Sequence, residues 1–249
     1  MRLARRSWGV ALGLTLGLAL GLLVSLRPAH AFQDTHPVTG RKYAGVMGAD
    51  GAGWLVRPER EAEENPEGAL DALGLKPGMN VADVGAGVGY MSLRMVRRIT
   101  PGGKVWANDL QPRMLEMLRA NAAQGGFSVG GGGNIETVLG TETDPKLPRN
   151  TMDLVLLVDV YHEFSHPREM VRGIRESLKA DGRLVLLEYR KEDPKVPIRI
   201  EHKMTVEEVK AELEADGFRM SQVIETLPRQ HILILTKAAA AGAAAGSKR

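Results

Sequence analysis

Short apolar runs alternate with amphipathic stretches between residues 79 and 236. The runs at 79–84, 104–109, 134–139, 153–160 and 183–189 read as strands. The run at 153–160 is nearly continuous, as suits a strand buried on both faces. Between these strands the spacing predicts helices over 89–99, 112–124 and 167–179. Pro112 and Pro167 occupy first-turn positions, where a missing N–H costs nothing, and Asp181-Gly182 stops the third helix. Thr205 followed by Glu208 is a capping-box pattern that opens a further helix, ending at Asp216-Gly217. Residues 219–225 and 231–236 then read as two strands. The Leu227-Pro228-Arg229 connection between them is short enough for an antiparallel pair. Strands alternating with helices predict an α/β fold: a doubly wound, mostly parallel sheet with helices on both faces. Such sheets bind ligands beyond the carboxyl ends of their strands, where the strand order reverses.

Outside this body the pattern changes. Residues 32–53 are glycine-rich and irregular, and 57–73 have an acidic, helical pattern running to Gly74. The expected division is an arm and helix over 32–73, a domain over 74–237 and an Ala/Gly tail over 238–249 that reads as disordered. Residues 130–133 read as a flexible glycine insertion. Residues 1–31 read as a targeting segment: Arg2, Arg5 and Arg6 precede an uncharged stretch over 8–26, and Ala29-His30-Ala31 offers a cleavage pattern. Arg5-Arg6-Ser7-Trp8 is similar to a twin-arginine signal. The expected location is therefore the periplasm or cell envelope. Left uncleaved, residues 8–26 are long enough to anchor the chain in the inner membrane.

The net charge of +3 changes meaning once this leader is set aside. The remaining 29 basic residues face 30 acids, so the body carries no electrostatic footprint for nucleic acid. Arg94, Arg97 and Arg98 read as a solvated helix face. The absence of cysteine excludes disulfides, thiolate metal sites and cysteine nucleophiles.

Candidate chemistry sits at the strand ends. The first strand runs into Asp83-Val84-Gly85-Ala86-Gly87-Val88-Gly89-Tyr90. The spacing is G-x-G-x-G, and Tyr90 stands where a dinucleotide-binding loop would place its last glycine. The second strand ends in Asp109-Leu110, and the Asp109 carboxylate is a pure acceptor able to receive two ribose hydroxyls. An acidic strand end, a glycine loop and a second acidic strand end at this spacing resemble the first two motifs of class I S-adenosylmethionine (SAM)-dependent methyltransferases, over residues 70–236. The resemblance implies a seven-stranded sheet with its last strand antiparallel and SAM as cofactor. It assigns Asp83, Gly85, Ala86, Gly87, Gly89 and Tyr90 to the methionine end, Asp109 and Leu110 to the ribose, and Thr141 or Glu142 to the adenine. It also reaches small-molecule enzymes such as quinone C-methyltransferases. Arsenite methyltransferases, similar in outline, depend on cysteines this chain lacks.

The fourth strand ends in Asp159-Val160-Tyr161-His162-Glu163-Phe164-Ser165-His166-Pro167, which in the resembled family lines the place where SAM meets its acceptor. His162 is the expected general base, with Asp159 and Tyr161 as positioning groups. Glu188-Tyr189 face the same side, His202 sits in a following loop, and Trp54 and Arg57 are placed to close over the cofactor. The expected acceptor is a small molecule, with no nucleic-acid partner. Two other readings stand beside this one. The chain can be a non-catalytic SAM-binding scaffold. His162-Glu163-x-x-His166 also satisfies the zinc-protease pattern, which requires both histidines on one continuous helix. Pro167 opposes a helix at His166, so no metal ligands are expected.

Overall fold

The computed structural model describes residues 34–239; the leader, its cleavage site, the anchor stretch and most of the Ala/Gly tail lie outside the described residues. Among the described residues no helix is long and apolar enough to cross a membrane. Seven strands form one sheet: β1 (Asn80–Val84), β2 (Lys104–Asp109), β3 (Ile135–Leu139), β4 (Met152–Val158), β5 (Leu178–Tyr189), β6 (Phe218–Ile224) and β7 (Gln230–Lys237). Their order is β3-β2-β1-β4-β5-β7-β6, with β7 antiparallel to both neighbours. The chain winds outward from β1 through β2 to β3, then returns to the other side of β1 with β4. That reversal puts the loops after β1 and β4 side by side.

The alternation of each strand divides the core by face. Val81, Leu154, Leu156, Val185 and Leu187 pack on one side with α2 (Pro66–Leu73), α3 (Ser92–Ile99) and α4 (Pro112–Gln124). Ala82, Val84, Val155, Leu157 and Leu186 pack on the other with α5 (Pro167–Ser177) and α6 (Val206–Ala215). A one-residue slip in any strand would exchange the two faces, so burial on both sides fixes the register. Thr205 and Glu208 form the expected capping box on α6. Arg94 and Arg98 of α3 pair with Glu61, Glu67 and Asp71, so this arginine face meets acids at the surface.

Several boundaries differ from the sequence expectation for local steric reasons. The single helix expected over 57–73 is two: α1 (Arg60–Glu64) and α2, broken at Asn65, whose φ of 51° is left-handed. The Asn65 side chain accepts the Gly68 N–H at 3.1 Å and Pro66 opens α2, so an Asn-Pro pair both ends one helix and caps the next. Helix α3 starts at Ser92 rather than Gly89, because Gly87 and Gly89 have φ of 54° and 88°. Strand β4 stops at Val158 because Asp159 turns to φ 54°. Helix α5 ends at Ser177, and Leu178 already pairs with Met152. The boundary at residue 73 is no seam: Ala69, Leu70 and Leu73 belong to the main core.

Candidate functional site

The loop after β1 is held against two neighbours. A Cβ at Gly85 would lie 2.5 Å from the Val160 side chain of the loop after β4. A Cβ at Gly87 would lie 2.6 Å from Leu55. Gly85 and Ala86 donate their N–H groups to the Asn108 carbonyl at 2.9 and 2.8 Å. The Asp109 carboxylate completes the stitching: Oδ2 accepts the Gly87 N–H at 2.9 Å and Oδ1 the Gln111 N–H at 2.8 Å. A carboxylate has about four acceptor positions, so two remain for a ligand. Burial raises the Asp109 pKa, and these N–H groups oppose the rise.

Beyond the strand ends lies a cavity of about 630 Å³, a volume within the ordinary range for small-molecule sites. Gly85, Gly87, Asp109, Leu110, Thr141 and Glu142 line it, so part of the expected cofactor set converges on one wall. The rest does not reach that wall. Gly89 turns back to donate to the Ala86 carbonyl and packs beneath the loop against Leu118. Tyr90 points outward, its hydroxyl donating to Glu61 at 2.8 Å between the guanidinium groups of Arg60 and Arg94. Asp83 is buried under the loop and accepts the Ser92 hydroxyl at 2.6 Å.

Burial pushes the Asp83 carboxyl up from 3.8 to about 6, with the Ser92 hydroxyl pulling the other way. A carboxyl harder to ionise folded than unfolded makes the fold lose stability as pH rises between those two values. The deficit above pH 6 is at most about 3 kcal/mol. Asp83→Asn is therefore expected to unfold at higher urea concentration than the wild type at pH 7.5. The advantage should vanish near pH 4. An equal urea midpoint at both pH values would show that Asp83 ionises freely in the fold.

The side expected from the sequence to face an acceptor is built by the segment after β4. Asp159 lines the cavity; its Oδ2 accepts from Gln230 Nε2 at 2.7 Å, while Oδ1 is buried with no protein partner. Burial raises its pKa, and the Glu64 and Glu188 charges add to the rise. Tyr161 turns into the core, edge-on to Phe164 at 5.7 Å, and does not reach the wall. His162 is 1% exposed and also lies behind the wall. Its Nδ1 sits 2.6 Å from Glu188 Oε2 and its Nε2 3.2 Å from His202 Nδ1. Burial alone would lower its pKa, but the Glu188 carboxylate prevails and raises it. The wall position belongs instead to Glu163, which burial pushes up to about 7. Of the pair ending β5, Tyr189 lines the cavity and Glu188 is the buried anchor of His162.

The zinc-protease arrangement does not form. His162 lies in a 3₁₀ turn (Tyr161–Glu163), His166 is non-helical with φ −129° and ψ 63°, and α5 begins only at Pro167. The two histidines share no helix.

Of the outer wall, the sequence pointed to Trp54 and Arg57 and not to the residues before them. Tyr43, Ala44, Val46, Met47, Trp54 and Leu55 line the cavity from the arm that precedes the sheet. The arm is fastened by Ala44 N–H to the His162 carbonyl and by Gln111 Nε2 to the Met47 carbonyl, at 3.0 and 2.9 Å. Trp54 and Arg57 do reach the wall, with the guanidinium 3.7 Å from the ring centre. Beside them stand Arg60 and Glu64. Glu64 accepts from Arg57, Arg60 and the Tyr189 hydroxyl at 2.8, 2.6 and 2.7 Å. Arg57 and Tyr189 were expected on this side from the sequence; for Arg60 and Glu64 the one advance sign was the acidic character of residues 57–73.

A family model described as "Methyltransferase domain" matches residues 82–186. A SAM-dependent methyltransferase from Aquifex aeolicus superposes with a TM-score of 0.70 at 26% identity, covering 76% of this chain and 98% of that one. A TehB-like SAM-dependent methyltransferase from Corynebacterium glutamicum shares the fold, with a TM-score of 0.56 at 15% identity over 76% of this chain and 97% of its own. The ubiquinone/menaquinone biosynthesis C-methyltransferase UbiE of Pseudomonas putida strain GB-1 is 28% identical over 130 residues, 52% of this chain and 49% of that protein. The corresponding protein of Hahella chejuensis is 29% identical over 122 residues, 49% of this chain and 47% of its own. The chain spans about half the length of these curated relatives.

Proposed function

We infer that this chain is a class I SAM-dependent methyltransferase, and that its acceptor is a small, amphipathic molecule. The observation that carries the reading is the meeting of three strand-end groups at the sheet's reversal: the glycine loop, the Asp109 carboxylate and the Asp159 carboxyl around one cavity. The residues suit SAM. Gly85 and Gly87 keep the wall free of side chains, and Asp109 retains acceptor positions for ribose hydroxyls. Leu110, Thr141 and Glu142 continue that wall toward an adenine. At the other end Arg57, Arg60, Glu64 and Asp159 offer both signs of charge, as an amino acid's ammonium and carboxylate require, and Asp159 Oδ1 is a buried acceptor awaiting a donor.

When bound, SAM supplies a methyl group already activated on a sulfonium centre. What remains for the protein is to align an acceptor and exclude water. Phe164, Met170, Tyr43 and Val46 give the acceptor end an apolar wall, with Glu163 as its carboxyl. Glu163 stands where a proton leaving the acceptor could be received, and His162 is held behind it by Glu188. Similarity to the ubiquinone/menaquinone biosynthesis C-methyltransferase UbiE favours a quinol-like acceptor over a macromolecule.

The test is label transfer. The full chain incubated with methyl-labelled SAM is expected to label members of a panel of quinols, phenols and small amines. RNA and protein substrates should stay unlabelled. Label in RNA or protein alone would overturn the acceptor class, and failure to bind SAM at all would overturn the reading.

A further inference from the structure

The His162-Glu163 pair, set aside as a protease motif, meets a different histidine in the fold. His202 ends a 3₁₀ turn (Ile200–His202), forty residues beyond His162, and that turn packs against Tyr161–Glu163. Nitrogen atoms of the two imidazoles and a Glu163 carboxylate oxygen all lie within 4.8 Å of one another. We propose that His162 Nε2, His202 Nδ1 and Glu163 bind a first-row divalent transition-metal ion, for which zinc is the closest match.

Three distances support the assignment. Zinc–nitrogen bonds of about 2.0–2.1 Å in a tetrahedron place two donor nitrogens roughly 3.3 Å apart. His162 Nε2 and His202 Nδ1 are 3.2 Å apart, with rings nearly perpendicular at 84°. Glu163 Oε1 lies 4.0 Å from His202 Nδ1, so a small side-chain rotation closes the triangle. Behind His162, the Glu188 carboxylate at 2.6 Å from Nδ1 fixes the tautomer that leaves Nε2 with its lone pair free. This carboxylate–histidine pair is the outer-shell device that orients imidazole ligands and raises their basicity. His202 Nε2 lies 2.9 Å from an exposed Arg199 guanidinium. With the ion bound, the His202 proton moves from Nδ1 to Nε2 and Arg199 turns into solvent. The metal-bound state then needs no charge change at His202.

Two histidines and one carboxylate form the three-ligand donor set of open sites, which keep a position for water or substrate. Glu163 is the ligand shared with the cavity wall. Metal binding itself does not depend on methyl transfer, so the two readings can fail separately.

The experiment is a zinc titration of the full chain, stripped with a chelator and monitored by competition with a chromophoric chelator. One equivalent is expected to bind. His202→Ala, which removes a half-buried loop side chain, should weaken binding by more than the roughly 10–100-fold that loss of an outer-shell partner costs. Glu188→Gln should weaken it within that range. His166→Ala should leave it unchanged, which separates this site from the H-E-x-x-H pattern. Cobalt in place of zinc should give a visible absorption band that is lost in His202→Ala. No bound zinc, or zinc held equally well by His202→Ala, would overturn the proposal. Loss of binding in His166→Ala with retention in His202→Ala would return the site to the linear motif.

Discussion

Asp109→Ala is expected to weaken SAM binding by about 100-fold or more. The carboxylate has two tasks. It would receive the ribose hydroxyls, and hydrogen bonds to a charged acceptor contribute about 1.5–3 kcal/mol each. It also holds the loop, because Gly87 N–H and Gln111 N–H both end on its oxygens. Alanine removes the ligand's acceptors and strands two amide donors in a site where Asp109 is only 6% exposed. Asp109→Asn keeps one acceptor oxygen and should fall between wild type and alanine. Calorimetric titration of each variant with SAM measures the effect, and the far-ultraviolet circular dichroism of each establishes that the sheet persists. An unchanged affinity in a folded Asp109→Ala protein would remove the ribose from this strand end.

The second large effect concerns the arm. Arg41→Ala is expected to destabilise the protein by about 3–5 kcal/mol, the usual cost of stripping one partner from a buried ion pair. Arg41 donates from Nε and Nη2 to Glu212 of α6 at 3.1 and 2.9 Å, and from Nη1 to the His162 carbonyl at 3.1 Å. Both side chains are nearly fully buried, 3% and 0% exposed. Thr39 and His36 converge on the same carboxylate. Removing the guanidinium leaves Glu212 charged in the interior, a state far worse than having no pair. The midpoint of thermal unfolding should fall by about 6–20 °C. Arg41→Met combined with Glu212→Leu should recover much of the loss, since a packed apolar pair can replace a buried ionic one at little cost. The single variant should also bind SAM more weakly, because Arg41 fastens the arm that forms the outer wall of the cavity. Equal stability of Arg41→Ala and wild type in denaturant would show that the arm is held by its other contacts alone.

Both predictions rest on contacts of different legibility. Asp109 was visible in the sequence because its role is local: a strand of known length ends there, and a glycine loop lies one helix earlier. Arg41 was not visible, because its partner is 171 residues away and nothing in either neighbourhood marks the pair. The histidines divide in the same way. The linear pattern offered His166 as a partner for His162, four positions on. The fold brings His202 instead, because Pro167 and the non-helical backbone at His166 break the helix that i, i+4 spacing presumes. Asp83 and Tyr161 were placed correctly along the chain and differently in space. Each lies next to a residue that does reach the wall, but a strand or a tight turn sends alternate side chains to opposite sides.

The sequence by itself determined the strand-helix order, the α/β class, the capping of α6 and the convergence of the glycine loop with Asp109. All of these follow from period, turn chemistry and the geometry of strand ends, which act over a few residues. Only the tertiary structure decided that residues 43–47 line the cavity, that Glu163 rather than His162 stands at its wall, and that His202 completes a cluster with them. Those arrangements depend on which surfaces of distant segments are buried together, and a one-dimensional pattern records that a side chain is to be buried without recording against what.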